Sequence, residues 1–298
     1  MTANPLQLGQ EILDIDKPEP EDLRLWSVTN IIGVIDKPAL LSWAAEQTAK
    51  AAVRIARTLP ARIEEDGEDA VVKQLRDARF SKTKGTLTDA AFGTELHALA
   101  ESYSLTGERP PIRRETFGDD LDAAVACFNQ LDDWLQRFSP EYLASEVVVY
   151  HPAYGYAGTS DGFFRLDGSP LIFDYKFSKK STDARGKPTT IYPETALQLA
   201  AYRHAPLAAI WRPRRYESFR RRYYALSINE QNMAAPTPDV EGGLGIKITP
   251  DFCHARPVRC DHEVFASFLY TLEVARWVLE DSKTAIGYPL EVPTIGAH

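Results

Sequence analysis

Cysteine is scarce in this sequence: Cys127, Cys253 and Cys260 are the only three among 298 residues, too few and odd in number for a disulfide framework. No run approaches the roughly 18 apolar residues needed to cross a bilayer, which predicts no membrane span. Met1–Gln10 holds neither a basic cluster nor an apolar block, so no secretory signal is expected there and a cytoplasmic location is the reading. Repeats and low-complexity tracts are lacking too. What is present is 44% hydrophobic and 26% charged residues, the mix of a globular protein rather than a fibrous or disordered one.

The charge balance is acidic, 34 Lys and Arg against 42 Asp and Glu, a net of −8. It is also segregated. From Lys176 to Tyr223 twelve Lys and Arg face only Asp183, Glu194 and Glu217, so this stretch carries +9 and the remainder −17. A cationic segment on an otherwise repelling body suits steering of a polyanion to one place.

Periodicity predicts a helix from Pro38 to about Leu59, a charged solvent-facing stretch over 63–85, and a helix over Asp89–Tyr103 with Thr88 as its N-cap. A further helix is expected over about Asp119–Phe138. The period then changes to that of strands: Ala144–Tyr150, Tyr156–Leu166 and Pro170–Phe177, with a tight turn at Asp167-Gly168. A helix over Pro193–His204, strands over Arg222–Ile228 and Gly245–Ile248, and a long helix over Asp261–Asp281 complete the reading. Helix, three strands, helix, strand with additions predicts an α/β fold in a single domain, 1–298. It divides into an N-terminal helical extension (1–85), a core (86–230) and a C-terminal strand and long helix (231–298).

The meander holds the densest chemistry. Asp174 and Lys176, two apart on a strand, share a face, and a hairpin with the preceding strand can bring Asp161 beside Asp174. Two adjacent carboxylates repel, and a shared proton or a divalent cation relieves them; an oxygen-rich pair suits Mg²⁺ or Mn²⁺. The strand is otherwise apolar (Leu171, Ile172, Phe173, Tyr175, Phe177), so an unpaired Asp and Lys there would be costly to bury. Gln198 and Tyr202 are four apart on one helical face, able to hold a phosphate oxygen or orient Lys176. His97 and Glu146 are further candidates on the neighbouring helix and strand; a lone His is an acceptable metal ligand as well as an ordinary core residue.

In order, Gly93-Thr94-x-x-His97, Glu146, Gly158-x-x-Asp161, Asp174-x-Lys176 and Gln198-x-x-x-Tyr202 resemble the PD-(D/E)XK nuclease superfamily, and more narrowly its RecB-like branch, which includes CRISPR-associated RecB-like and phage exonucleases. The resemblance spans about residues 86–230. A vaguer similarity to phage and actinobacterial members covers Ser27-Val28-Thr29 and Asp36-Lys37-Pro38-Ala39-Leu40 with Trp43. The resemblance over 86–230 implies a restriction-endonuclease-like α-β-β-β-α-β core and metal-dependent phosphodiester hydrolysis. His97, Asp161 and Asp174 would ligate Mg²⁺ or Mn²⁺ with the Tyr175 carbonyl, and Lys176 would position or activate water. Glu146 would assist at the metal, and Gln198 and Tyr202 would complete the site. Where the family name has Pro-Asp, this chain reads Ser160–Asp161. Some RecB-like relatives hold an iron–sulfur cluster on four cysteines; with three cysteines and no Cys-x-x-Cys pair, no cluster is expected here.

The expected partner is linear or single-stranded DNA, read with little sequence specificity. Lys179, Lys180, Arg185 and Lys187 follow the Asp174 strand, and Trp211, Arg212, Arg214 and Arg215 follow the Gln198 helix; cations beside aromatics suit phosphates and stacked bases. The expectation is a deoxyribonuclease, exonucleolytic in the family's manner, acting in replication, recombination or repair with proteins of those pathways as partners. The alternative is a catalytically silent DNA-binding or recombination-partner module that keeps the fold.

Overall fold

The computed structural model of this chain describes residues 23–35, 38–77, 86–183, 185–209, 223–226 and 234–288. Strand β1 (Leu23–Ser27) runs directly into helix α1 (Val28–Ile32), which buries Val28, Ile31 and Ile32. Helix α2 (Pro38–Ile55) starts at the proline that the sequence marks, since a first helical turn has no use for the missing N–H. The charged stretch after it forms two short helices, α3 (Leu59–Asp66) and α4 (Glu68–Asp77). They break at Gly67, whose φ of 84° costs glycine little. Only Val71 of the two is buried, so their charged faces meet water.

Helix α5 (Asp89–Thr106) is capped by Thr88, which accepts the Ala91 N–H at 3.1 Å. It outlasts the expected end at Tyr103 by three residues, until Gly107 turns left-handed and closes it. One turn, α6 (Arg114–Phe117), leads to α7 (Leu121–Phe138), which sends Cys127, Phe128, Leu131 and Trp134 inward. The meander follows as β2 (Glu141–His151), β3 (Tyr156–Leu166) and β4 (Ser169–Phe177). A bulge between Tyr142 and Ala144 lets β2 begin three residues before the expected Ala144. Asp167 (φ 50°) and Gly168 (φ 86°) make the two-residue turn whose twist matches the strands it joins.

Helix α8 (Glu194–Arg203) packs over β3 and β4, and the chain continues into strands β5 (Leu207–Ala209), β6 (Tyr223–Leu226) and β7 (Ala234–Pro236). Then come β8 (Gly242–Ile248), β9 (Cys253–Val258) and the closing helix α9 (His262–Leu279). The main path of the sheet runs β7-β5-β2-β3-β4-β8-β9, with β1 beside both β3 and β6. β4 and β8 are parallel while most other pairs are antiparallel, so the fold is mixed α/β. The strands β1, β5, β7 and β9 were not expected from sequence. They are short, three to six residues each, too few to show the clear period of the meander.

Each face of the sheet has its own core. Val149, Tyr156, Phe163 and Ile172 meet α1, α8 and α9 through Ile31, Leu199, Phe268 and Leu272. Phe164, Phe173, Tyr175 and Ile246 meet α5 and α7 through Phe92, Leu96, Phe128 and Leu131. Burying such rings contributes roughly 2 kcal/mol or more apiece, and it fixes which face of β4 points where. Among the described residues no helix is long and apolar enough to cross a membrane.

Candidate functional site

One edge of β3 has two different neighbours. Gly162–Leu166 pair with β4, Tyr156 and Ala157 pair with β1, and residues 158–161 lie between. By register Asp161 would face Asp174, but the ladder stops at Gly162↔Phe173 and the strands fork there. The Asp161 carboxylate fills the fork, its Oδ2 accepting the Tyr175 N–H at 2.6 Å where a neighbouring strand would otherwise supply a carbonyl. Amide and carbonyl of one strand residue face the same side, so the Tyr175 carbonyl looks into the same gap.

Two backbone features accompany the fork. Glu146 lies opposite Asp161, between the pairs Ser145↔Gly162 and Val147↔Ser160, and has φ 49°. At Gly162 a Cβ would strike the Ala144 carbonyl and the Phe173 ring. Tyr156 and Phe163 are seven apart yet enter the same core, so the alternation slips by one residue between them. That slip frees Asp161 from a regular strand position.

Both helical layers contribute to the gap. On one side, α5 sets His97 with its Nδ1 3.5 Å from Asp161 Oδ2 and its ring edge-on to Phe177. On the other, Asp174 and Lys176 form a close pair: the ammonium donates to Asp174 Oδ1 at 2.7 Å and lies 2.6 Å from Oδ2. Lys176 also donates to Gln198 Oε1 at 3.3 Å, and Gln198 Nε2 donates to the Tyr202 hydroxyl at 3.4 Å. The Tyr202 ring lies against Gly158 so closely that any side chain there would overlap it. Thus His97, Asp161, Asp174, Lys176, Gln198 and Tyr202 come from four elements to one region.

Burial pushes the Asp174 carboxyl up; Lys176 opposes this, and the Asp161 charge adds to it. Burial works against the Lys176 ammonium too, but the Asp174 and Asp161 carboxylates outweigh it and hold its pKa above the ordinary lysine value. Two carboxylates and one ammonium leave one negative charge in excess. Asp174 Oδ2 is buried and accepts no hydrogen bond, since the aligned donation from Lys176 goes to Oδ1. The donor types, carboxylate and carbonyl oxygen with one imidazole, fit a hard divalent cation. Among the described residues, however, no three His, Cys, Asp or Glu side chains are already gathered around one point. In this arrangement the Lys176 ammonium sits on the Asp174 carboxylate.

The cationic candidates divide. Lys179 turns inward: its ammonium bonds the Leu87 carbonyl and reaches Asp120 Oδ2 at 2.7 Å, over the Phe92 ring. With its side chain 15% exposed it joins the β4 end to α5 and α7 and is withdrawn from the proposed DNA contacts. Lys180, Arg185 and Lys187 are exposed. Arg185 and Lys187 ride on a tight loop in which Asp183 Oδ1 accepts both their backbone N–H groups, at 2.8 and 2.9 Å. Trp211, Arg212, Arg214 and Arg215 lie outside the described residues. The Tyr175 side chain points away from the gap, its hydroxyl 2.9 Å from that of Tyr142.

Sequence reasoning missed Lys247. It sits in register with Lys176 on the adjoining strand, is 6% exposed, and donates to Ser178 Oγ at 2.7 Å. Burial, with Lys176 adding, pushes its pKa down to about 8. A lone lysine in the apolar run Gly-Leu-Gly-Ile-Lys-Ile was the available signal. Cys127 and Cys260 are buried and Cys253 half-buried, all three as free thiols.

Compared with known proteins, the chain matches no family model and no curated protein. Among solved structures it is similar to the crystal structure of SSO0001, at 14% identity and a TM-score of 0.32, over 92% of this chain and 83% of that one.

Proposed function

We propose that this chain is a metal-dependent DNA nuclease of the PD-(D/E)XK type. The observation that carries the reading is the fork itself, where Asp161, Asp174 and Lys176 share one gap with His97 on one flank and Gln198 on the other. The chain runs α5-α6-α7-β2-β3-β4-α8; with α6 and α7 taken as an addition before the meander, this order supports the α-β-β-β-α core that the motif resemblance implies. Asp161, Asp174, the Tyr175 carbonyl and His97 are the groups that would hold Mg²⁺ or Mn²⁺, with Glu146 beside them on β2. A bound divalent ion would supply hydroxide near neutral pH and stabilise charge on the scissile phosphate.

The chain's own groups do the rest. Lys176, once released from Asp174, carries a cation to the phosphate and donates hydrogen bonds to the attacking water or a phosphoryl oxygen. Gln198 fixes the direction of that ammonium, and Tyr202 fixes Gln198. Lys180, Arg185 and Lys187 neutralise phosphates at the margin.

A second reading, a silent DNA-binding module, draws on the locked Asp174–Lys176 pair and the want of a preformed three-ligand cluster among the described residues. Incubation of the protein with end-labelled linear and single-stranded DNA separates the two. With Mn²⁺ or Mg²⁺ the nuclease reading expects nucleotide release that EDTA stops. Binding without any cleavage under every metal would leave the silent module.

A further inference from the structure

The sheet carries a row of residues outward from Asp174. Asp174 pairs with Gly245 of β8, and Gly245 pairs with Arg256 of β9. Cross-strand partners share a face, and the neighbours agree: Val258 packs with the α8-side core while Cys253 and Ala255 pack with the other. Arg256 therefore emerges on the same face as the candidate site, two strand spacings or roughly 10 Å from Asp174. Gly245 between them leaves room for Ile191, whose side chain a Cβ there would meet, so the 190–193 segment forms a ridge across the row.

Beyond the ridge is a cavity of about 200 Å³ lined by Thr190, Ile191, Tyr192, Ala196, Arg256 and Val258, among others. That is smaller than the roughly 300–1,000 Å³ that encloses a drug-sized ligand, and suits one flat ring held from one side. Tyr192 is 70% exposed and Arg256 is also exposed. An aromatic face and a guanidinium beside a small apolar hollow match the two halves of a nucleotide, a base to stack and a phosphate to neutralise. Lys180, Arg185 and Lys187 continue the positive charge on the loop leading into the ridge.

We propose that this pocket is a nucleotide subsite for single-stranded DNA, in which one base stacks on Tyr192 and an adjoining phosphate is held by Arg256. The inference rests on the nuclease reading, because it places the subsite about three stacked nucleotides, at ~3.4 Å each, from the Asp174 gap. Ile191 stands over Gly245 between the two, so a strand that joins them passes over it.

The test is binding of fluorescein-labelled oligothymidylate to the full chain in EDTA, where the proposed chemistry is silent. Tyr192→Ala weakens binding about fivefold or more, Tyr192→Phe binds as the parent does, and Arg256→Ala weakens binding and lowers the salt slope by about 0.7. Parent-like affinity in both alanine variants overturns the subsite. So does an equal loss in Tyr192→Phe, which would assign the effect to the hydroxyl. Cleavage is read separately with Mn²⁺: a protein that cuts DNA with Tyr192→Ala binding normally loses the subsite but keeps the nuclease reading. A protein that binds through Tyr192 and Arg256 yet cuts nothing keeps the subsite and loses the nuclease.

Discussion

Two lysines three residues apart show how little residue type alone decides. Lys176 and Lys179 leave the same strand end, yet one enters the gap beside Asp174 and the other is tied to Asp120, 59 positions away. The first was legible because alternation along a strand is local: Asp174-x-Lys176 has to share a face. The second was not, since nothing near Lys179 in the chain announces Asp120 or Leu87. The consequence is measurable. Lys179→Ala is expected to cost about 2 kcal/mol of stability, as it removes a charged hydrogen bond and strands a largely buried carboxylate. Its salt slope for single-stranded DNA should equal the parent's. Lys180→Ala with Arg185→Ala and Lys187→Ala should leave stability nearly unchanged and lower that slope by about 2, at ~0.7 per phosphate contact. Equilibrium unfolding and fluorescence anisotropy across a salt series check both.

Among the elements, the fork is the part that sequence periodicity could not foretell. The Asp167-Gly168 turn fixes the β3–β4 register from its closed end, and simple extension of that register would pair Asp161 with Asp174 as ordinary ladder partners. The structure parts them instead, through a positive φ at Glu146 and a glycine at 162 that tolerates no side chain. Gly162→Ala should therefore destabilise by about 2 kcal/mol or more, because both the backbone conformation and the space are wrong for Cβ. A Tm equal to the parent's would refute the steric account of the fork. A different junction, where the end of β2 meets α8 and α9, sets the acid limit. His151 and His204 stack on Phe265, with His204 Nε2 3.1 Å from the Cys260 carbonyl. Burial, aided by each one's histidine neighbour, pushes both imidazoles down to about 4. The unfolded chain takes up protons near the ordinary value of about 6.5 while the folded one does not, so stability present above that value is lost as pH falls toward about 4. Thermal melts from pH 7 to 4 should show Tm declining across this window, and His151→Gln with His204→Gln should flatten the decline.

For the whole molecule, the α/β order of helix, meander, helix and returning strand was readable because long periodic segments declare themselves. The helices α5, α7, α8 and α9 and the three meander strands fall close to where the sequence puts them. The short strands β1, β5, β7 and β9 did not declare themselves, since three to six residues carry too little pattern. The same holds for the charge segregation: only part of the +9 stretch falls within the described residues, where Lys179 is spent internally and Lys180, Arg185 and Lys187 face solvent. All of this converges on the gap between β3 and β4, and one substitution interrogates it without emptying the core. Asp174→Asn keeps the shape of the side chain and removes its charge. The rate of nucleotide release from linear DNA in Mn²⁺, parent against Asp174→Asn at equal DNA occupancy, is the decisive comparison. The account predicts a fall of at least a hundredfold with DNA binding retained; cleavage by Asp174→Asn at the parent's rate would contradict it.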